Sequence, residues 1–400
     1  MDFVTVTFDN ELADTLIRNK VEEFARNSGE TINIQQYEWD TIRRELVNVG
    51  IYKQGADVSE TGSTWLESLV AMDALMPFDQ KAIDRLGGKQ AFFPAIWQNV
   101  SRAHEREIWG VPFRADVRPI FFWKDMFESA GIDTENSFSS SEAMKEALQV
   151  LADKGVKSPW GVPTIRSQNT VYNVASWIWE SDGQFTSQDG KRVEITSHAT
   201  WRGIRNYFEF FKFMPQEKSA YSDGEISELF ARRKISATMT GPWLLNYLRN
   251  ANLPESTIEQ VGVALPPGPA FVGGSALIMW RHTKLPRKAF ELIRHLSDKK
   301  FQMDFCKSTG LLPVLQDLWN EEFLNTNKYM PIFLKGIQEG RGLPPIPLWG
   351  MIEERLTNEF SAIWNDIYST PKPMKPETID NILAKHLEPL DVRLNMALRG

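Results

Sequence analysis

The alternation of strand-like and helix-like spacing over the first 65 residues constrains the fold more than any other feature of this chain. Residues 3–8 alternate as in a strand, and apolar side chains recur at helical spacing from 12 to 24. Strand spacing returns at 32–36, helical spacing at 42–49, and a strand beginning at 56 runs into a polar turn. Because a β-α-β-α-β order builds a parallel sheet through right-handed crossovers, the sequence predicts an α/β fold.

A second α/β stretch extends from Val117 to a Pro/Gly cluster at 266–269, which is the clearest linker in the sequence. Beyond the linker, residues 271–279 again have strand-like spacing. The rest of the chain is predicted to be mainly helical, with one long helix after Pro347 and another from 376 to 398. A chain of 400 residues has room for two or three domains.

Charge and cysteine content exclude several classes of function. The net charge is −7 and no long run of Lys or Arg occurs, so nucleic-acid binding is disfavoured. The single cysteine, Cys306, permits neither an internal disulfide nor a cysteine-based metal site, and its apolar neighbours predict burial. No run of 18 apolar residues predicts a membrane span. The strand-like start fits either a cytoplasmic protein or a secreted one whose leader has been replaced by Met1.

Aromatic residues are the unusual part of the composition, with 14 Trp and 24 Phe. Several tryptophans stand in turn-rich contexts, where they suit carbohydrate stacking or an interface better than a purely internal role. They are Trp39, Trp65, Trp109, Trp160, Trp177, Trp243 and Trp349.

The sharpest local signal is the junction at 238–243, where strand alternation stops and Gly241, Pro242 and Trp243 precede a helical run. Glycine permits a tight turn, and proline fits the first helical position, where its missing N–H costs nothing. Trp243 is thereby predicted at a helix start beside the carboxyl end of a strand, where α/β sheets bind ligands. An indole there suits stacking on a flat ligand face. The alternative is a buried tryptophan that only begins the helix.

A second signal is the extended run 109–118, in which Arg114, Asp116 and Arg118 alternate with apolar residues. Alternation along a strand places all three on one face. A carboxylate there accepts hydrogen bonds from ligand hydroxyls, and arginine supplies a planar fork of donors. The alternative is an exposed strand with an internal salt bridge.

Catalytic and metal-binding motifs are mostly absent from the sequence. There is no phosphate-binding loop, no Gly-x-Gly-x-x-Gly and no Gly-x-Ser-x-Gly. His104-Glu105 resembles the start of a zinc motif, but Ile108 stands where the second histidine is needed. We therefore expect no enzyme activity, no cofactor and no metal. A glycosidase pair such as Glu60 with Asp116 stays open as an alternative.

Five segments, taken in order, resemble the extracellular solute-binding proteins of carbohydrate-uptake ABC transporters, the family of maltose-binding protein. Each segment alone is a weak signal, but their order over nearly the whole chain is specific. The segments are 56–66 with 75–78, then 108–113 with 121–127 and 130–132, then 230–243, then 271–277, then 343–349.

The resemblance implies a two-lobe periplasmic-binding-protein fold of type II, each lobe a mixed, mainly parallel sheet flanked by helices, with the ligand cleft between the lobes. It places lobe 1 at 1–114 plus 271–316 and lobe 2 at 118–266 plus 320–400. Hinge crossings are expected near 115–117, 267–270 and 317–319.

The resemblance also implies a set of ligand contacts, which we take as predictions residue by residue. The alignment is loose around residues 166–172. The predicted ligand-binding residues are Asp9, Asn10, Glu11, Trp39, Glu60, Thr61, Ser63, Thr64, Arg114, Asp116, Gln168, Asn169, Tyr172, Trp243, Gly274, Ser275 and Trp349.

The predicted function is capture of a carbohydrate and its delivery to the permease subunits of an ABC importer, by a monomer that acts outside the cytoplasm, free or lipid-anchored. Glu60-Thr61 and the two arginines at 114 and 118 depart from maltose-binding protein, so malto-oligosaccharide specificity is not transferred. Arg114, Arg118 and Arg166 raise the alternative of an acidic sugar. A carbohydrate-active enzyme, or a binder of a non-sugar solute on the same fold, also stays open.

Overall fold

The structure, a computed structural model, describes residues 1–7, 11–101, 107–375 and 377–398. The chain divides into two compact units. Unit 1 comprises Met1–Val117 and Val272–Gly350, and unit 2 comprises Arg118–Phe271 and Met351–Gly400. The chain therefore passes between the units three times.

The third predicted crossing is wrong. The first two crossings lie within one residue of the expected ranges 115–117 and 267–270, but the third follows Gly350 instead of falling at 317–319. The segment after residue 319 belongs to unit 1 because it bonds to strands of that unit. The backbone N–H of Val272, for example, donates to the carbonyl of Arg341 at 2.8 Å.

Unit 1 begins with the strand–helix succession that the sequence predicts. Its elements are β1 (Asp2–Val6), α1 (Glu11–Ser28), β2 (Asn33–Tyr37), α2 (Trp39–Tyr52), β3 (Val58–Gly62), α3 (Leu66–Ala71), α4 (Gln80–Asp84), α5 (Pro94–Gln98) and β4 (Val111–Val117), and, in its second segment, β9 (Val272–Met279), α13 (Pro286–Leu296), α14 (Lys299–Thr309), α15 (Glu322–Asn325) and α16 (Met330–Glu339).

The sheet of unit 1 has the strand order β2-β1-β3-β9-β4. β1 pairs in parallel with β2 and β3, whereas β9 runs antiparallel to both β3 and β4. Four strands therefore point the same way, and the carboxyl ends of β1, β2, β3 and β4 meet at one edge together with the amino end of β9. We call this the carboxyl edge of unit 1.

The core of unit 1 lies between the sheet and its helices. On one face, Ile42 and Leu46 of α2 and Leu66 of α3 pack with the strand residues Val6 and Ile278. The two α2 residues are four positions apart, so they fall on one stripe of the helix. Burying each such side chain stabilises the fold by about 1.5–3 kcal/mol.

Unit 2 continues the α/β pattern and ends in the two longest late helices. Its elements are β5 (Ile120–Trp123), α6 (Lys124–Ser129), α7 (Ser141–Asp153), β6 (Trp160–Gly161), α8 (Gln168–Glu180), α9 (His198–Glu209), α10 (Asp223–Ala231), β7 (Ala237–Met239), α11 (Leu244–Asn250), α12 (Glu255–Ile258), β8 (Val261–Ala264), α17 (Trp349–Ser369), which begins at the third crossing, and α18 (Thr378–Ala397).

The sheet of unit 2 has the order β6-β7-β5-β8. β6 and β7 are parallel, and β5 is antiparallel to β7 and β8. β6, β7 and β8 thus share one direction, and their carboxyl ends meet at what we call the carboxyl edge of unit 2. In each unit the reversed strand, β9 or β5, is the first strand after a crossing. Mixed, mainly parallel sheets flanked by helices are what the sequence predicts.

Candidate functional site

The carboxyl edge of unit 1 gathers several predicted contacts because three parallel strands end there. Trp39 begins α2 just after β2, Glu11 begins α1 after β1, and Ser63 and Thr64 form a 3-10 turn directly after β3. Glu11 is exposed, and Ser63 and Thr64 are half-buried. These side chains therefore lie where a ligand can reach an α/β sheet.

An aromatic pair supports this edge. The ring of Trp65 lies against Gly62, and the ring of Trp39 meets Trp65 edge-on with centroids 5.6 Å apart. Trp65 is buried, whereas Trp39 is 38% exposed. The inner indole thus braces the outer one, which leaves Trp39 as the accessible member of the pair.

Glu60 and Arg114 form a buried ion pair in the middle of the unit 1 sheet. Oε1 of Glu60 lies 3.0 Å from Nη1 of Arg114. The Glu60 side chain is 0% exposed and the Arg114 side chain 4%. Glu60 also accepts hydrogen bonds from Oγ1 of Thr5 at 2.6 Å and the backbone N–H of Val6 at 3.3 Å. Its carboxylate is therefore surrounded by groups of its own unit.

The surroundings of Arg114 are equally internal. Its guanidinium lies over the rings of Phe113 and Phe305, 4.6 and 4.4 Å from their centroids. Burial lowers the pKa of Arg114 and the charge of Glu60 opposes that shift. An arginine in this setting stays protonated, so the pair holds two opposite charges inside the unit, and neither side chain is exposed for a ligand in this structure.

The alternative of an exposed strand with a salt bridge is wrong about the exposure, because all seven residues of β4 are buried, but a salt bridge is present between Arg114 and Glu60. The register of β4 against β9 slips between Pro112 and Arg114, which leaves Phe113 as an extra residue. Such a bulge re-aims the side chains that follow it.

Asp116, Gly274 and Ser275 lie near the carboxyl edge of unit 1, where β4 ends and β9 begins. Ala115 and Asp116 pair with Gly274 and Gly273, and Arg114 pairs with Ser275. Gly274 has a φ of +129°, and a Cβ there would stand 2.0 Å from the carbonyl oxygen of Arg114. Gly274 is therefore required by the close approach of the two strands. Asp116 and Ser275 are both buried.

The predicted first-lobe contacts Asp9, Asn10 and Thr61 and the predicted second-lobe contact Trp349 have different outcomes. Asp9 and Asn10 lie outside the described residues, as does the pair His104-Glu105. Thr61 is fully buried, and its hydroxyl lies 3.4 Å from the carbonyl of Gly62. Trp349, the first residue of α17, is buried as well.

Trp243 stands at the carboxyl edge of unit 2, after β7. It is the N-terminal cap of α11, so Pro242 lies in the turn before the helix and does not occupy its first position. The benzo ring of Trp243 lies so close to Gly241 that a Cβ at that glycine would be 1.9 Å from the ring. The indole is half-buried, which fits a ring that is held in place and still partly open.

Trp243 belongs to a stack of four side chains in unit 2. The Arg118 guanidinium lies 4.7 Å from the centroid of Trp243 and 5.4 Å from that of Tyr172. Tyr172 in turn stacks on Phe271, with centroids 4.3 Å apart and planes inclined by 1°. We call Phe271, Tyr172, Arg118 and Trp243 the stack. In the stack, the rings of Tyr172 and Trp243 are half-buried, whereas Arg118 and the ring of Phe271 are buried.

Polar groups hold Tyr172 and the start of α8. The Tyr172 hydroxyl lies 2.7 Å from Oε1 of Glu353 and 3.3 Å from Oε1 of Gln168. The Asn169 amide donates to Oδ1 of Asp223 at 2.6 Å. Gln168 and Asn169 are half-buried beside the stack, so the structure brings Gln168, Tyr172 and Trp243 into one region.

Sequence reasoning missed two members of this region. Phe271 reads as the start of a return strand, and its contact with Tyr172 joins positions 99 residues apart in the chain, which no local pattern shows. Glu353 is a buried acid within a long helix, and helical spacing places it on the same stripe as Trp349 and Leu356.

Within the described ranges, no three His, Cys, Asp or Glu side chains group in a way that would hold a metal ion. Over the same residues, every helix is too short or too polar to cross a bilayer. Cys306 is buried, as predicted.

The chain was compared with known proteins. Residues 20–331 match the family model of the bacterial extracellular solute-binding proteins. A Brucella abortus (strain 2308) protein, named only as a binding protein, is 24% identical over 355 residues, which cover 85% of this chain and 82% of that protein.

Solved structures of a sugar-binding protein and of an ABC transporter solute-binding protein share the fold along this chain. The sugar-binding protein MalE of Xanthomonas citri is 18% identical with a TM-score of 0.80, covering 100% of this chain and 97% of that one. An ABC transporter solute-binding protein of Agrobacterium vitis S4 with bound D-mannitol is 17% identical with a TM-score of 0.77, covering 100% and 99%. Since the family model matches more than half of the sequence, this chain belongs to the bacterial extracellular solute-binding proteins.

Proposed function

We propose that the chain is the substrate-binding component of an ABC importer and captures a neutral sugar or polyol. Membership of the family supports the class of function and a location outside the cytoplasm. The ligand class is supported by the chemistry of the two carboxyl edges. Each edge offers an accessible indole, Trp39 in unit 1 and Trp243 in unit 2, with hydroxyl or amide side chains beside it. Aromatic faces with a few placed polar groups are how proteins bind carbohydrates and similar small molecules.

The proposed mechanism is closure of the two units about their three crossings. A ligand that gains contacts from both carboxyl edges favours the closed state by its differential affinity for that state. Hinge closure is a general type of domain motion, for which periplasmic binding proteins are a standard example. The permease subunits would then recognise the closed form.

The observation that carries this proposal is the stack. Phe271 packs on the Tyr172 ring, and Arg118 packs on both half-buried rings, so neighbouring side chains hold the two rings in position. Preorganised rings lose little freedom on binding, which raises the affinity gained per contact.

A neutral ligand is favoured over the acidic one because two of the three candidate arginines have other partners. Arg114 is paired with Glu60 inside unit 1. Arg166 is exposed, and its Nε donates to Oδ1 of Asn358 at 2.6 Å. Arg118 stands beside the rings, where it contacts Tyr172 and Trp243.

The rival function, a glycosidase, is disfavoured by Glu60. Glycoside hydrolysis requires two carboxyl groups that face the sugar. Glu60 is fully buried and bonded to Thr5, Val6 and Arg114. We therefore propose binding without turnover.

Titration calorimetry tests the proposal with maltose, galactose, D-mannitol and galacturonate at low and high salt. We expect stoichiometric binding of a neutral sugar or polyol, no loss of ligand over hours, and little effect of salt. Preference for galacturonate with strong salt dependence would restore the acidic-sugar alternative, and consumption of ligand would restore the enzyme. Size-exclusion chromatography tests the proposed monomer, and lipid analysis of the native protein tests a lipid anchor.

A further inference from the structure

Two of the three crossings begin or end at neighbouring residues of unit 2. Arg118 is the first residue after the first crossing, and Phe271 is the last residue before the second. The backbone N–H of Arg118 donates to the carbonyl of Phe271 at 3.3 Å. The chain thus enters unit 2 and leaves it at one hydrogen-bonded point.

The side chains of these same two residues form half of the stack. Phe271 supports the ring of Tyr172 in parallel contact, and Arg118 lies against both Tyr172 and Trp243. Phe271 and Arg118 are only 2% and 4% exposed, so neither has room to rearrange freely. Packed interiors transmit a displacement because they contain few voids that could absorb it.

The two half-buried rings of the stack, Tyr172 and Trp243, have further contacts. Tyr172 is held through its hydroxyl by Glu353. Trp243 lies over the backbone at Gly241, where even a Cβ has no space. A ligand that shifts or stiffens these rings acts on Arg118 and Phe271 more readily than on solvent-facing groups.

We propose that Arg118 and Phe271 are positioning residues that couple the ring pair Tyr172–Trp243 to the two places where the chain enters and leaves unit 2. Contact of a ligand with the rings is transmitted through the stack to the crossings, which thereby favours closure. The inference rests on the proposed function for its use of a ligand, but the coupling itself exists in the ligand-free protein.

The first test needs no ligand. Labelling with 5-fluorotryptophan gives fluorine NMR resonances from the 14 tryptophans, and Trp243→Phe assigns the one that belongs to Trp243. Phe271→Leu is expected to move the Trp243 resonance, although its influence has to pass through Tyr172 and Arg118.

The matched control is Phe138→Leu. Phe138 is a buried ring of the same unit that packs on Phe122 and Phe127. The Phe138→Leu substitution should leave the Trp243 resonance unchanged. Equal effects of the two substitutions, or no movement with Phe271→Leu, would overturn the coupling.

The second test measures binding of maltose and D-mannitol by calorimetry. Arg118→Met is expected to weaken binding of the better of the two ligands about tenfold, which lies between the effects of an exposed and a desolvated cation–π contact. Arg118→Lys keeps the charge without the planar face and should restore part of the affinity. Phe271→Leu should weaken binding, whereas Phe138→Leu should not. Full affinity in both Arg118→Met and Phe271→Leu would overturn the proposal.

The two tests separate failure of the inference from failure of the proposed function. If wild-type protein binds neither probe while Phe271→Leu still moves the Trp243 resonance, the proposed ligand class is wrong and the coupling stands. If wild-type protein binds and the resonance does not move, the function stands and the coupling is wrong.

Discussion

Arg114 and Arg118 are four residues apart in the chain and lie in contrasting environments. Arg114 sits in the middle of β4, paired with Glu60 and covered by Phe113 and Phe305. Arg118 lies past the end of that strand, in the other unit, and contacts the two half-buried rings of the stack. One arginine lies in a core, and the other lies beside two rings that are partly exposed.

The role of a charged residue in this fold therefore depends on whether it lies in the middle of a strand or beyond its end. Charges in mid-strand are enclosed by neighbouring strands and by a helix, so they must find partners inside the unit. Charges at the carboxyl edge stand beside the starts of helices and turns, where ligands bind. Substitutions at the two kinds of position test that contrast.

The largest effect is expected from Arg114→Met. Removing one member of a buried ion pair leaves the carboxylate of Glu60 buried without its cation, which costs about 3–5 kcal/mol of unfolding free energy. Chemical denaturation followed by circular dichroism measures this loss. Arg118→Met is the matched control and should cost clearly less.

The double variant Glu60→Gln with Arg114→Met sharpens this prediction. Removing both charges should recover much of the stability, because the desolvation penalty of the lone carboxylate disappears. An Arg114→Met protein as stable as wild type would show that the pair is not a core element and would remove the contrast with Arg118.

The second effect concerns the strand contact beside Arg114. Gly274→Ala should lower the unfolding free energy by about 2–3 kcal/mol, since a Cβ meets the Arg114 carbonyl in a backbone conformation that favours glycine. Gly29→Ala is the control, because Gly29 also has a positive φ but has nothing within 4 Å of the added Cβ. Gly29→Ala should cost only about 1–2 kcal/mol, the penalty of the left-handed conformation alone.

If denaturation curves of Gly274→Ala and Gly29→Ala coincide, the close approach of β9 to β4 contributes no more than the backbone conformation does.

The third effect is on binding and not on folding. Trp243→Ala should weaken binding of the sugar or polyol by about 1–3 kcal/mol, the usual scale for losing a large apolar contact. Trp201 offers the control: it is another half-buried tryptophan of unit 2, and its Nε1 donates to Asp380. Calorimetry on Trp243→Ala and Trp201→Ala that gives equal affinities would rule out a special role for the stack.

The smallest effect is a pH dependence at the surface of unit 2. Hydrogen bonds from Lys385 and His386 hold the pKa of Asp366 below its ordinary value. A carboxyl whose pKa is lower in the folded state stabilises the fold above its unfolded pKa of about 4, and that contribution is lost as the pH falls through the folded value. Stability of wild type relative to Asp366→Asn should therefore shrink below about pH 4.

Thermal unfolding of the two proteins between about pH 7 and pH 3 checks this prediction. The difference should be small and should weaken with salt, because Asp366 is partly exposed. A difference that grows as the pH falls would contradict it. Because the Glu60–Arg114 pair is buried, its contribution to the free energy of unfolding should change much less with salt concentration than that of Asp366.

The sequence was a good guide to elements with strong local patterns. The strand–helix succession of the first 65 residues appears as β1, α1, β2, α2 and β3, and the long late helices appear as α17 and α18. The family and its mixed sheets were also predicted correctly from the five ordered segments. The third crossing was not, because helical spacing gives no information about which sheet a helix packs against.

The same difference between local patterns and long-range packing applies to the candidate site residues. The prediction that Trp243 follows a strand end needed only the glycine, the proline and the alternation before them. The stack could not be predicted, since it joins Arg118, Tyr172, Trp243 and Phe271 from four distant segments. Whether each predicted contact binds a ligand stays a prediction.

The sequence predicted the strands and helices with strong local patterns, where the strands end, and hence which side chains lie near the carboxyl edge of a sheet. It did so because hydrophobic periodicity and turn chemistry are local. The tertiary structure alone decided that Glu60 and Arg114 neutralise each other inside unit 1 while Arg118 joins two rings in unit 2. Alternation predicted one shared face for the two arginines, but the chain passes into unit 2 after Val117, so Arg114 and Arg118 belong to different units.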